Sequence, residues 1–176
     1  YEFPFYYVQL SSLNRPTWPH FRYSQLQLLK QIPNAGMAVS SDVGDSLDVH
    51  PRKKKEVGER LARLALHHTY NKKELAPHGP LPVKAERVAN NIVIHFSHAG
   101  KQLATGDKRD LRGFTVVDAK GFQKEIETFI DKDKVVIPIS AKDKWVEVRY
   151  GWQPFTRANL VNAAGLPACT FKLSIQ

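Results

Sequence analysis

Residues 36–53 read GMAVSSDVGDSLDVHPRK. The first eight, GMAVSSDV (36–43), open on an apolar run and suit a buried position, which predicts a strand covered on both faces. A loop carrying Asp45, Asp48 and His50 follows it. From Lys53 to Tyr70 the pattern is helical, with Val57, Leu61, Leu64, Ala65 and His68 on one face. Upstream, FYYVQL (5–10) is a second buried-type strand. Asn14, Pro16 and Thr17 then punctuate the chain, and Trp18, Phe21, Gln25 and Leu28 recur at helical spacing until Pro33-Asn34. The order β-α-β-α with buried strands predicts a parallel sheet with helices packed on it. Two such units are too few for a stable sheet, so the remaining strands are expected upstream. The chain opens abruptly at YEFPFYYVQL without Met and reads as a piece of something longer.

The texture changes near residue 76. APHGPLP (76–82) reads as a Pro/Gly linker. Beyond it, short runs alternate with period two. In NIVIHFSH (91–98), Ile92, Ile94 and Phe96 point one way, and Val93, His95 and Ser97 the other. GFTVVDAKG, KVVIPIS, KWVEVRYGW and FKLSIQ continue the pattern between turn signals. Several short strands at close spacing predict an antiparallel β-sandwich. The expected division is residues 1–75 as the C-terminal portion of an α/β domain and 76–176 as the sandwich.

Composition excludes several classes. A hydrophobic share of 42% with 24% charged residues is that of a globular chain. No apolar run is long enough to span a bilayer, and no leader pattern is present. Cys169 stands alone, so no internal disulfide and no Cys-based zinc site can form. The net charge of +9 raises nucleic acid as a partner. The densest run, Arg52 to Lys55, reads instead as a solvated helix start, and no nucleic-acid motif accompanies it. No nucleic-acid or membrane partner is therefore expected.

The loop also contains GDSL (Gly44 to Leu47), the string that names a class of serine esterases. A serine hydrolase needs a base for the hydroxyl, a group that orients the base, and donors for the oxyanion. Esterases of the GDSL type place the Ser after the first strand of their sheet and bring Asp and His together after the last. Here no Asp-x-x-His follows Ser46, no His occurs after His98, and the sheet ends at this point rather than begins. Ser46 is thus a loop residue and the string a coincidence. The same loop, at the C-terminal edge of a parallel strand, is instead where an esterase's Asp/His pair belongs.

A wider pattern agrees. WPHFRYSQ (18–25), PNAGMAV (33–39) and DVGDSLDVHPRKKKEVGERL (42–61) resemble the sialate O-acetylesterase family of carbohydrate esterases. That family shows W-P-x-x-R-x-x-Q, then P-N-x-G-M-A-V, then D-x-G-D-x-x-D-I-H-P-x-x-K-x-x-V-G-x-R-L. VRYGW (148–152), Asn159-Leu160 and GLPA (165–168) extend the likeness towards the C-terminus. The resemblance implies the C-terminal part of a three-layer α/β/α hydrolase domain of the SGNH/GDSL type, followed by a β-sandwich. It implies removal of acetyl esters from sugars, with no metal or organic cofactor. His50 would be the general base and Asp48 its orienting partner. Many relatives of the wider superfamily carry that Asp three residues before the His, where this chain has Leu47, so Asp45 or a backbone carbonyl stays open for the role. The family's nucleophile, in a Gly-Gln-Ser-Asn-like motif, and its oxyanion donors are absent from these residues and would lie upstream of Tyr1. The expected partners are an O-acetylated sugar and that upstream half. The chain alone would be inactive, and a periplasmic or secreted location follows from the family. The alternative is a non-catalytic fragment or accessory module binding a carbohydrate or partner protein.

Other candidates have plainer readings. Arg22 and Gln25, one turn apart, either brace the site or touch substrate, or else form a helix-surface pair or a structural bond to a neighbouring loop. Trp18 reads as core or interface. Arg149 is a candidate tie between the two parts. His67 and His68 read as ordinary helix residues. His95 and His98 mimic a metal pair but lack a third ligand.

Overall fold

A computed structural model describes residues 3–50 and 52–176; Pro51, which closes the DVHP motif, lies outside the described residues. Strands β1 (Phe5–Val8) and β2 (Ala35–Ala38) run parallel, Phe5 opposite Ala35 and Val8 opposite Ala38. Helix α1 (Trp18–Gln31) supplies the crossover that parallel pairing requires. Pro at its start is pre-set for helical backbone. Its end is forced by Pro33: the preceding Ile32 is extended, at φ −95 and ψ 117. Helix α2 (Lys54–His68) follows β2.

The helices contact opposite faces of the strand pair, because strand side chains alternate. The Tyr7 hydroxyl donates to the Gln25 carbonyl on α1 at 2.6 Å. Its neighbour Tyr6 bonds Thr69, just past α2, at 2.7 Å. On β2, Met37 shares a cluster with Leu26 of α1. Gly36 turns the other way: a Cβ there would sit 3.0 Å from the Leu64 side chain of α2. The strand expected over 36–43 is shorter than its predicted span. It ends at Ala38, and Ser41–Val43 winds a 3-10 turn. The reason is side-chain capture of the backbone. Arg60 donates to the Val39 carbonyl at 2.7 Å, and the Ser40 hydroxyl to the Gln9 carbonyl at 2.7 Å.

The rest of the chain is antiparallel. Strands β3 (Leu81–Val88), β4 (Asn91–Ser97), β8 (Phe129–Asp131) and β9 (Lys134–Pro138) form one sheet in the order β3-β4-β9-β8. Strands β6 (Phe114–Asp118), β7 (Gln123–Glu125), β10 (Trp145–Tyr150) and β12 (Phe171–Ser174) form a second, in the order β12-β10-β6-β7. The short strands β5 (Ala104–Thr105) and β11 (Leu160–Val161) pair separately. The alternation in NIVIHFSH places as expected: Ile92 and Ile94 are fully buried, and Val93 and His95 are not. Ile92, Ile94, Val135 and Ile137 of the first sheet share one core with Phe114, Val116, Val148, Tyr150 and Phe171 of the second. Leu26, Met37 and Val39 belong to the same cluster, so apolar packing runs without a break from the parallel strands into the antiparallel sheets.

The Pro/Gly stretch is not an exposed linker. Pro77 to Pro80 are buried. A Cβ on Gly79 would fall 2.0 Å from the Pro167 carbonyl oxygen, so only glycine lets the two backbones pass.

Candidate active site

Because β1 and β2 are parallel, the loops that follow them, residues 9–17 and 39–53, leave the sheet at one edge. That is the edge where open α/β sheets hold their sites. The two loops are locked together through the backbone. A Cβ on Gly44 would lie 2.4 Å from the backbone N and O of Ser12, so the glycine of the GDSL string serves a close approach. The Ser12 hydroxyl donates to the Ser41 carbonyl at 2.7 Å, and the Asn14 N–H to the Ser46 carbonyl at 3.1 Å. The base of the second loop is fixed by Asp42, whose two carboxylate oxygens each accept a 2.7 Å bond from the Arg60 guanidinium of α2.

Within this frame, Asp45 and Asp48 have different tasks. The Asp45 carboxylate accepts the backbone N–H groups of Leu47 at 2.9 Å and Asp48 at 3.3 Å, a side-chain-capped turn. Asp48 then faces His50. One of its oxygens accepts the His50 backbone N–H at 2.8 Å and lies 3.2 Å from the ring Nδ1. That N–H, with the His50 ring and the nearby Arg52 charge, holds the Asp48 carboxyl below its ordinary range. A carboxylate at Nδ1 keeps the proton there and leaves Nε2 as the basic nitrogen. The pair is open: the His50 side chain is 83% exposed and that of Asp48 50%. Both line a hollow of about 430 Å³ together with Leu13, Asn14, Arg15 and Ser46. Among the described residues, no hydrogen bond joins Ser46 to His50.

The remaining candidates are structural. Arg22 is fully buried and donates to the carbonyls of Pro154 (3.0 Å), Gly151 (3.0 Å) and Gln153 (2.6 Å). The Pro154 carbonyl also accepts the Leu13 N–H at 3.3 Å, so Arg22 supports the wall of the His50 hollow indirectly. Gln25 straps the end of β1, accepting from the Leu10 N–H at 2.8 Å and donating to the Val8 carbonyl at 3.0 Å. The Trp18 indole donates to the Ser11 carbonyl at 2.7 Å. Arg149 pairs with Glu147 and Gln123 and stacks over Trp152, whose ring meets His20 and Tyr23 of α1. Arg22 ties the two parts directly, whereas Arg149 acts through Trp152. His95 pairs with Glu86 at 2.7 Å, whereas the His98 ring lies against His78, so the two do not converge. The Asp42–Arg60 pair escaped the reading of single residues, although both sit inside the DVGD…VGERL pattern.

No family model matches the chain. It is 30% identical over 170 residues to the sialate O-acetylesterase of Rattus norvegicus and 29% identical over 167 residues to that of Mus musculus, in each case over 85% of this chain. The chain spans 31% of the length of these curated relatives. A carbohydrate acetylesterase from Xanthomonas citri superposes on 97% of the chain, and on 41% of its own, with a TM-score of 0.88 and 31% identity. By the match in sequence over 85% of the chain and the match in backbone over 97% of it, the chain belongs to the sialate O-acetylesterase family of carbohydrate esterases.

Proposed function

We propose that the chain is the His-bearing part of a carbohydrate O-acetylesterase that works as a serine hydrolase. The observation that carries this is the Asp48–His50 pair, held at the C-terminal edge of a parallel strand pair with Nδ1 towards the carboxylate. The nucleophilic Ser and the oxyanion donors are supplied by chain upstream of Tyr1. His50 Nε2 takes the proton of that Ser as it attacks the acetyl carbonyl, then returns it to the departing sugar hydroxyl. A water deprotonated by the same nitrogen releases acetate. The reaction needs no metal and no organic cofactor.

On this reading residues 1–75 complete a three-layer hydrolase domain of the SGNH type, supported by helices that contact opposite faces of β1 and β2. Residues 76–176 are its β-sandwich, supported by two antiparallel sheets with a common core. The substrate is an O-acetylated sugar and the location periplasmic or secreted. The isolated chain does not turn over. The test is His50→Ala in the intact enzyme. Acetyl release should fall by about 10²–10⁴-fold with the fold unchanged; full activity would sink the assignment. A fluorophosphonate adduct on Ser46, rather than on an upstream Ser, would overturn the mechanism.

A further inference from the structure

The Asp48–His50 pair is built on its own loop and moves with it. The His50 side chain is 83% exposed, and Asp48, its described side-chain partner, lies on the same loop. Asp45 bonds the N–H groups of Leu47 and Asp48, again within the loop. These contacts give the loop its shape but do not aim it relative to the sheet. Two of its outward contacts, Ser12 to Ser41 and Asn14 to Ser46, lead to another loop. Among the described residues, the ion pair that ties it to a regular element is Asp42 with Arg60 of α2.

Arg60 stands near the middle of α2 with its side chain only 12% exposed. Its guanidinium makes three bonds of 2.7 Å, one to the Val39 carbonyl and one to each Asp42 oxygen. Val39 is the first residue past β2, where the ladder has ended, and Asp42 sits in the 3-10 turn that follows. A bidentate fork fixes an angle as well as a distance. The chain returns from His50 straight into α2, so this helix grips the outgoing end of the loop through Arg60 and receives the returning end at Lys54. The sheet has other supports. β2 pairs along its length with β1, Met37 and Val39 belong to the apolar cluster, and the fully buried Leu64 seats α2 beside Gly36. What the fork adds is the direction in which the loop departs.

We propose that Arg60, through Asp42 and the Val39 carbonyl, is a positioning residue for catalysis, which aims the His50 loop and so aligns His50 with the attacking Ser and the acetyl carbonyl. The proposal rests on the esterase reading for the reaction, but the ordering of the loop is read without turnover. No hydrogen bond joins Arg60 to His50 or Asp48 among the described residues, so its effect is on placement.

The experiment compares Arg60→Gln, Asp42→Asn and the double variant in the intact enzyme, by hydrolysis of p-nitrophenyl acetate, urea midpoint and amide hydrogen exchange. Each single substitution should lower kcat by about 10²-fold, the cost of an ångström-scale misplacement of reacting groups, with KM held within about twofold. The double variant should lose no more than either single, because the two side chains act as one unit. The amides of Val43, Leu47, Asp48 and His50, all bonded within the loop, should exchange about tenfold faster, while those of β1, β2 and α2 keep their rates. Arg60→Lys keeps the charge without the fork and should recover only part of kcat. If Arg60→Gln does not fold, Asp42→Asn and Arg60→Lys carry the same comparison. An unchanged kcat in folded variants, additive losses, or faster exchange spread evenly over strands and helices with a lower urea midpoint would each overturn the proposal, the last by making the pair a support of the fold alone. Unchanged loop exchange would overturn it whatever the activity. A parent protein without turnover, whose variants still show the loop-selective exchange, would instead defeat the esterase reading and leave the ordering of the loop by Arg60 standing.

Discussion

The two acids of the loop differ by what they hold. Asp45 spends its carboxylate on the N–H groups of Leu47 and Asp48, and Asp48 spends its own on His50. Asp48→Asn keeps the shape but removes the charge that orients and stabilises a protonated ring. In the intact enzyme it should lower kcat by at least about tenfold, with Asp45→Asn much milder. Equal losses from both would show that the turn, not the charge, matters. Gly44 is a packing residue. Gly44→Ala sets a methyl 2.4 Å from the Ser12 backbone and should destabilise the chain by about 1–3 kcal/mol, read as a lower urea midpoint. In the tetrapeptide GDSL, Gly44 serves a close approach and Asp45 a turn cap, the Ser46 backbone carbonyl accepts from Asn14, and Leu47 is exposed.

At the scale of elements, two of the contacts that join the parallel strands and their helices to the antiparallel part use buried titratable groups. The first is Arg22 on α1. Burial lowers its pKa to about 10, so it stays charged at neutral pH. Arg22→Met would leave the Gln153 carbonyl without its donor, strip one donor each from the Pro154 and Gly151 carbonyls, and should destabilise by about 3 kcal/mol in a urea titration. Arg22→Lys should not restore this, because an ammonium lacks the fork that reaches all three. The second contact is a row of four histidine rings. His67 and His68 of α2 lie 4.8 Å apart, His68 and His78 5.8 Å, and His78 and His98 5.2 Å. The Asn162 amide donates to the backbone carbonyls of both His78 and His98 at 2.9 Å, which keeps the rings together whatever their charge. Tyr6 and Lys73 also face the row. Burial, then the neighbouring rings, lowers the pKa of His78 from 6.5 to about 4, and burial lowers His68 and His98 as well. A depressed folded pKa means stability that is present above pH 6.5 and lost as pH falls towards 4. For His78 the loss reaches about 3 kcal/mol. His78→Leu should flatten the fall in urea midpoint between pH 7 and pH 5; an unchanged slope would assign the acid sensitivity to other groups.

At the scale of the molecule, one apolar cluster spans α1, β2 and both four-stranded sheets. A shared core unfolds as a unit. The fluorescence of Trp18, Trp145 and Trp152 and the far-UV circular dichroism should therefore give coincident urea transitions. Two separated transitions would mean that the parts divided near residue 76 hold together independently.

Local pattern was enough for the strands and helices that alternate cleanly, such as NIVIHFSH and α2, because side-chain period follows directly from backbone geometry. It was enough for the loop too: a strand end followed by acids, a histidine and a helix is a chain-local signal, and the family resemblance lies in spacings along the chain. Short strands such as β5, β7, β8 and β11 have no period long enough to read. What only the tertiary structure decided are the contacts between distant residues. The role of Arg22 stayed open among several readings until its carbonyl partners, about 130 positions away, closed around it. APHGPLP looked like a linker until Pro167 was found against Gly79. His78 meets His68 and His98 only through the fold. Secondary structure answers to neighbours in sequence, whereas burial, charge pairing and ring contact answer to neighbours in space.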